Sequence, residues 1–261
     1  MSAGGPGPDG DELTVDGLTR EWKIVQRRHG HRHSTDDLLT GWYAIEKCPR
    51  PRRLLDLGSG IGGVGLLALW RAPREATLTA VEAQEISFGL LQRNIAMNGL
   101  GDRVRAIHGD LREVRLQGET FDLVTGSPPY FDVKDGVVPA DSQKAHARFE
   151  LRGDVRDYCR AARAALSPEP HARFVFCLPT VQRAKAEQAC VDAGLQLVSS
   201  RDVIPRAGTP ALFTLFECRL PREGEQVTTL HTREPDYVVR DASGAQTAEH
   251  AATRASFGFG N

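Results

Sequence analysis

Between Arg53 and Arg219 short apolar runs alternate with longer stretches whose apolar residues fall at helical spacing. The runs at 53–57, 76–81, 104–108, 121–124, 173–178, 195–202 and 212–219 have the length and continuity of strands buried on both faces. Stretches at 85–98, 154–166 and 181–193 predict helices, the first of them stopped by Gly99. Strand and helix in regular alternation predict an α/β fold: a Rossmann-like open sheet of seven strands with helices on both faces. Ahead of it, residues 13–20 and 22–26 alternate apolar and polar positions and predict a small hairpin. Ser34-Thr35-Asp36-Asp37 is a capping pattern for a helix running to about Lys47, where Pro49 and Pro51 close it. Four segments result: a disordered Gly/Pro-rich tail at 1–10, an N-terminal extension at 11–33, the α/β domain at 34–222, and a polar tail at 223–261. With one apolar patch, Tyr237-Val238-Val239, that tail is expected to form a hairpin or a loose end.

Composition narrows the class. At 40% hydrophobic and 26% charged, the 261 residues match a soluble globular chain. No run approaches the ~18 apolar residues of a membrane span, and the first ten residues do not resemble a secretory leader, so neither membrane insertion nor export is expected. Cys48, Cys159, Cys177, Cys190 and Cys218 are scattered and lack C-x-x-C spacing, which predicts reduced thiols in a cytoplasmic protein. His31 and His33 have no acidic or cysteine partner at ligand spacing, so no metal site is expected. A net charge of −1 gives no overall attraction to nucleic acid. Locally, however, Arg27-Arg28-His29-Gly30-His31-Arg32-His33 concentrates cationic groups as a phosphate-binding patch would, with Arg28 and Arg32 as its candidate contacts.

The chain is organised around Leu54-Leu55-Asp56-Leu57-Gly58-Ser59-Gly60-Ile61-Gly62-Gly63-Val64-Gly65. An apolar strand climbs to an acid and breaks into spaced glycines, and a helical pattern then resumes, as at the start of a nucleotide-binding βαβ unit. The next two strands also deliver acids at their carboxyl ends, Glu82 and Asp110. Three carboxylates on adjacent strand tips suit a ligand bearing an ammonium, a ribose and an adenine amine, each of which needs an acceptor.

At these residues the sequence resembles the class I S-adenosylmethionine-dependent methyltransferases over about residues 30–220. The resemblance implies S-adenosyl-L-methionine as cofactor. Asp56 with Gly58, Gly60 and Gly62 would hold its methionine end, Glu82 its ribose and Asp110 its adenine amine. After the fourth strand, Ser127-Pro128-Pro129-Tyr130 is similar to the (Asp/Asn/Ser)-Pro-Pro-(Tyr/Phe) motif of enzymes that methylate exocyclic base amines or glutamine amides. Such a nitrogen has its lone pair delocalised and is a poor nucleophile. A side-chain acceptor and the Pro128 carbonyl would hold its N–H bonds and direct the lone pair, two prolines would stiffen the turn, and Tyr130 would offer a stacking face. Asn is more usual than Ser127 in the RNA-adenine enzymes, and serine is shorter.

The flanks carry the substrate expectation. The segment Gly30-His31-Arg32-His33-Ser34-Thr35-Asp36-Asp37-Leu38-Leu39 is similar to its counterpart in bacterial tRNA(Val) adenine-37 N6-methyltransferases, with His33 where phenylalanine is usual. Ala147-Arg148-Phe149-Glu150 resembles an Ala-Arg-His-Glu element of the same family and adds Arg148 as a candidate RNA contact. The expectation is N6-methylation of an adenine in structured RNA, most simply a tRNA anticodon loop. Alternatives are a protein glutamine N5-methyltransferase, a DNA amino-methyltransferase and a small-molecule methyltransferase. The last would need a lid near 131–150.

Overall fold

The structure, a computed structural model, describes residues 11–130, 141, 143 and 153–260. The expectations for residues 1–10, for a lid at 131–150 and for Arg148 lie outside these, apart from Asp141 and Gln143.

The first strands, β1 (Leu13–Gly17) and β2 (Lys23–Arg27), form an antiparallel hairpin. Helix α1 (Thr35–Lys47) follows, entered through a capping box in which Asp37 accepts from the Ser34 amide at 3.0 Å. The alternating series is then β3 (Arg53–Leu57), α2 (Gly63–Arg71), β4 (Thr77–Glu82), α3 (Glu85–Met97), β5 (Val104–His108), β6 (Leu123–Gly126), α4 (Val155–Ala165), β7 (Arg173–Pro179), α5 (Arg183–Asp192), β8 (Gln196–Arg206) and β9 (Phe213–Arg219). Side by side, the seven strands run β8-β9-β7-β6-β3-β4-β5. Only β9 is antiparallel to its neighbours. The strand order reverses at β3 and β6, which stay paired to their last residues, so the connections leaving their carboxyl ends diverge to opposite faces and leave a crevice, the place where open α/β sheets bind ligands. Two apolar layers fill the faces. One packs α1, α2 and α3 on Leu54, Leu78 and Leu123; the other packs α4 and α5 on Leu55, Val124, Phe174 and Phe176.

Two extensions depart from a bare doubly wound domain. The tail at 223–261 is neither a hairpin nor a loose end. Strands β10 (Thr232–Arg233) and β11 (Tyr237–Arg240) both pair in parallel with β8, giving a nine-stranded sheet, and helix α6 (Ala248–Ser256) follows. The tail orders because it carries its own anchors. Tyr237 is fully buried, its ring 5.3 Å from Trp42 and its hydroxyl donating to Thr253 at 2.9 Å. Glu234 accepts from the Tyr43 hydroxyl at 3.0 Å and pairs with Lys47, both on α1.

The hairpin is tied to the domain by two side-chain amides of one helix face. Asn94 of α3 accepts from the Val25 amide at 2.6 Å and donates to the carbonyls of Val25 (3.2 Å) and Ile61 (2.9 Å). One turn on, Asn98 repeats the pattern on Lys23, with both bonds at 2.8 Å. These asparagines stand in for a neighbouring strand on the open edge of β2. Because Asn94 is fully buried and Asn98 only half-buried, their deletions should differ. In urea unfolding, Asn94→Ala is expected to lower stability by about 2–3 kcal/mol through orphaned backbone groups, and Asn98→Ala by less than about 1 kcal/mol because water replaces the amide. Equal losses would contradict the assignment.

Candidate active site

At the crevice a cavity of 720 Å³ is lined by the glycine turn, the three strand-tip acids, the Ser127–Tyr130 turn and the Arg28–His33 segment. Sequence-distant groups expected to act together thus face one space, and each is held there by an identifiable contact.

The glycine turn is shaped from both sides by buried acids. Asp56, in β3, accepts from the Gly65 amide at 3.1 Å and from the Thr125 hydroxyl at 2.7 Å. Glu82, at the end of β4, accepts from the Gly60 amide and from the Gln84 amide, both at 2.7 Å. Burial raises the pKa of Asp56 to about 6 against the pull of Thr125, Ser59 and Gly65, and raises that of Glu82 as well. The turn demands glycine where it passes the sheet. Gly58 has φ +61°, and a Cβ there would lie 2.0 Å from the Tyr158 hydroxyl. Gly62, expected beside the cofactor, does not line the cavity. It caps α2 with φ +96°, and its α-carbon faces the side chains of Leu66 and Leu91. The third acid, Asp110, is gripped by Arg112, whose Nε and backbone amide both donate to it at 2.9 Å.

The second turn leaves β6 at Gly126. Ser127 faces the cavity, with its hydroxyl 3.4 Å from the buried thiol of Cys177 on β7. The Pro128 carbonyl accepts no hydrogen bond from a described residue. Tyr130 lines the cavity, but its hydroxyl is committed. It donates to Asp36, at the start of α1, at 2.7 Å and lies 3.5 Å from Cys177. Its carbonyl accepts from the side-chain amide of Gln182, just beyond β7. The Tyr130 ring is therefore braced from both ends.

At the mouth, Arg28 and Arg32 line the cavity, yet each has an acidic partner at the hairpin: Glu12 at 2.8 Å for Arg28 and Asp16 at 3.0 Å for Arg32. The positive patch read from the sequence is thus partly offset. His33 pairs with Asp37 at 3.2 Å. Burial opposes ionisation of Asp37, but the His33 ring, His31 and the Ser34 amide together hold its carboxyl below the ordinary range.

Several site residues were not legible as such. Asp36 and Asp37 read as part of a helix-capping pattern; Asp37 closes the capping box, and nothing in the chain reveals that Asp36, in the same first turn, reaches Tyr130. Tyr158 of α4 lies in an apolar stripe with Val155, Cys159 and Ala162 and reads as core, although it lines the cavity. Free thiols were expected, and all five cysteines are unpaired and buried.

The residues fit an adenosyl ligand with an amino-acid end. Acceptors stand at three strand tips, and glycine backbone borders the cavity where side chains would intrude. Residues 43–152 match the methyltransferase small domain family. A tRNA1(Val) (adenine(37)-N6)-methyltransferase of Histophilus somni is 28% identical over 210 residues, covering 79% of this chain and 85% of that protein. Its counterpart from Aeromonas hydrophila is 29% identical over 192 residues, covering 74% and 78%. Among solved structures, a predicted O-methyltransferase from Agrobacterium tumefaciens superposes with a TM-score of 0.63 at 18% identity, covering 85% of this chain and 97% of that one. TrmN from Thermus thermophilus superposes with a TM-score of 0.52 at 18% identity, covering 76% and 55%. With its sheet order and its glycine turn the chain has the class I methyltransferase fold, and over residues 43–152 it is similar to the methyltransferase small domain family.

Proposed function

We propose that this protein transfers a methyl group from S-adenosylmethionine to the exocyclic amine of an adenine in structured RNA, with a tRNA anticodon-loop adenine as the target. The observation that carries the reading is that the glycine turn with its acids and the Ser127–Tyr130 turn open into one cavity, with Arg28 and Arg32 at its mouth. The names of the relatives, adenine-37 N6-methyltransferases, favour an RNA base over a glutamine amide.

When bound, S-adenosylmethionine supplies an electrophilic methyl group on a sulfonium. In this reading Asp56 and Glu82 receive its ammonium and ribose hydroxyls through lone pairs that the Gly65, Thr125, Gly60 and Gln84 donors leave free. Asp110, oriented by Arg112, receives the adenine amine. The target base leaves its stack and lies against Tyr130, because its amine is out of reach inside a helix. Ser127 and the Pro128 carbonyl accept the two N–H bonds, and Pro128 and Pro129 keep these acceptors in place before the base arrives. The lone pair then points at the methyl, and the amine sheds its proton after transfer. Arg28, Arg32 and Arg148 meet phosphates, which position the RNA without reading its sequence.

Incubation with labelled cofactor and tRNA lacking the modification, followed by nucleoside mass spectrometry, tests the reading. Label is expected in N6-methyladenosine, and label confined to other nucleosides or to protein overturns it. Tyr130→Ala should lower turnover about a hundredfold with cofactor affinity nearly unchanged, because misplacing a base by about 1 Å has that effect. By contrast, Asp56→Ala and Glu82→Ala should weaken cofactor binding about tenfold or more. Calorimetric binding of S-adenosylhomocysteine alongside turnover separates the two.

The raised carboxyls set a pH dependence. Asp56 binds its proton more tightly folded (about 6) than its ordinary value of 3.8. Its contribution to stability is therefore fully present below about pH 4 and is lost as pH rises through about 6. Cofactor affinity should run the opposite way, rising between about pH 5 and about pH 7 as Asp56 ionises to meet an ammonium. Titrations of S-adenosylhomocysteine across that range check this, and Asp56→Asn should flatten the profile.

A further inference from the structure

Tyr158 occupies the seam between the two turns. Its ring is packed so closely that neither neighbouring strand tip can carry a side chain. A Cβ at Gly58 would meet the hydroxyl at 2.0 Å, and one at Gly126, directly before Ser127, would meet the ring at 2.8 Å. The side chain is only 5% exposed, yet it lines the cavity. Among the described residues no group forms a hydrogen bond with its hydroxyl, and that hydroxyl is not one of the enclosed polar atoms, so it opens to the cavity with its donor uncommitted. A phenylalanine would fill the seam equally well. The hydroxyl therefore points to a partner that arrives with a ligand.

We infer that the Tyr158 hydroxyl binds the amino-acid end of the cofactor, donating to its carboxylate; this rests on the S-adenosylmethionine reading above. Chemical complementarity selects the carboxylate. Asp56, Glu82 and Asp110 are acceptors and match the donors of the ligand: ammonium, ribose hydroxyls and adenine amine. What remains is the ligand's carboxylate, which only accepts, and the acid-rich rim offers it little. Tyr158 meets that need because it stays a donor. Burial, followed by the charges of Glu82, Asp56 and Asp110, holds its proton on well above the ordinary phenol range. Its place over Gly58 is the tip of β3, where the methionine end is expected.

The test is Tyr158→Phe, with two probes bound by calorimetry: S-adenosylhomocysteine, which carries the amino-acid end, and 5′-methylthioadenosine, which lacks it. Loss of one hydrogen bond to a charged group should weaken the first by about tenfold and leave the second within about twofold. Without ligand, the thermal midpoint should be unchanged or higher, because a hydroxyl with no partner adds nothing to the free fold. Unchanged affinity for S-adenosylhomocysteine, equal losses for both probes, or a lowered midpoint would each overturn the inference while leaving the methyltransferase reading intact. A wild-type protein that binds neither probe would remove both.

Discussion

A carboxylate taken out of water among packed strands needs N–H or O–H donors, and Asp56 and Glu82 find many of theirs in the amides of the glycine turn. The dependence is mutual. The turn bends as it does because Gly60 and Gly65 are drawn to acids on neighbouring strands, and the Ser59 amide is drawn to the Val81 carbonyl at 2.9 Å. The acids in turn tolerate burial because the turn supplies donors. Two carboxyls on adjacent tips are nonetheless kept more basic than usual, a cost carried in the free protein. In the function proposed above, a cationic, hydroxyl-bearing ligand relieves that cost, and the groups that define the turn would also select what fills it.

The second turn depends on a contact that spans the fold. Helix α1 precedes the first core strand in the chain, yet Asp36 at its start holds the hydroxyl of Tyr130, which follows β6. The neighbouring Asp37 closes the capping box and pairs with His33, fixing how the basic segment enters the helix. At its other end, α1 binds the tail through Lys47, Tyr43 and Glu234. One helix thus links the mouth of the cavity, the proline turn and the edge of the sheet. That places part of the site's rigidity in segments outside the alternating core.

The sheet was legible because its signals are local. Continuous apolar runs mark strands buried on both faces, and each strand-tip acid follows its run directly. Gly58, Asp56 and Glu82 could be placed beside one cavity from strand order alone. What could not be read depends on tertiary approach. Gly62 has the same spacing as its partners but turns toward Leu66 and Leu91, since one residue of rotation at a helix start separates the cavity from the core. Tyr158 follows the helical period of its apolar neighbours, and only the absence of side chains at Gly58 and Gly126 reveals where its hydroxyl ends. Of the tail's two strands, Thr232–Arg233 is too short and polar to register, and Tyr237–Arg240 shows in the sequence only as an apolar patch whose partner cannot be named; the pairing of both is made by β8, which extends far enough to receive them.

Serine at the head of the proline turn makes sense through what lies beneath it. A serine hydroxyl has one proton and two lone pairs, so it can accept an N–H from the cavity side if its own proton is placed elsewhere. Cys177 is fully buried, and burial pushes its thiol up to about 12, so its sulfur stays protonated and uncharged. With the Ser127 oxygen 3.4 Å away, that sulfur is a soft acceptor able to take the serine proton in a hydrogen bond, leaving the oxygen lone pairs toward the cavity. The same sulfur lies 3.5 Å from the Tyr130 hydroxyl, so one side chain of β7 supports both ends of the turn. A shorter residue than asparagine can then present an acceptor of fixed direction, because its orientation is set by the strand behind it rather than by its own length.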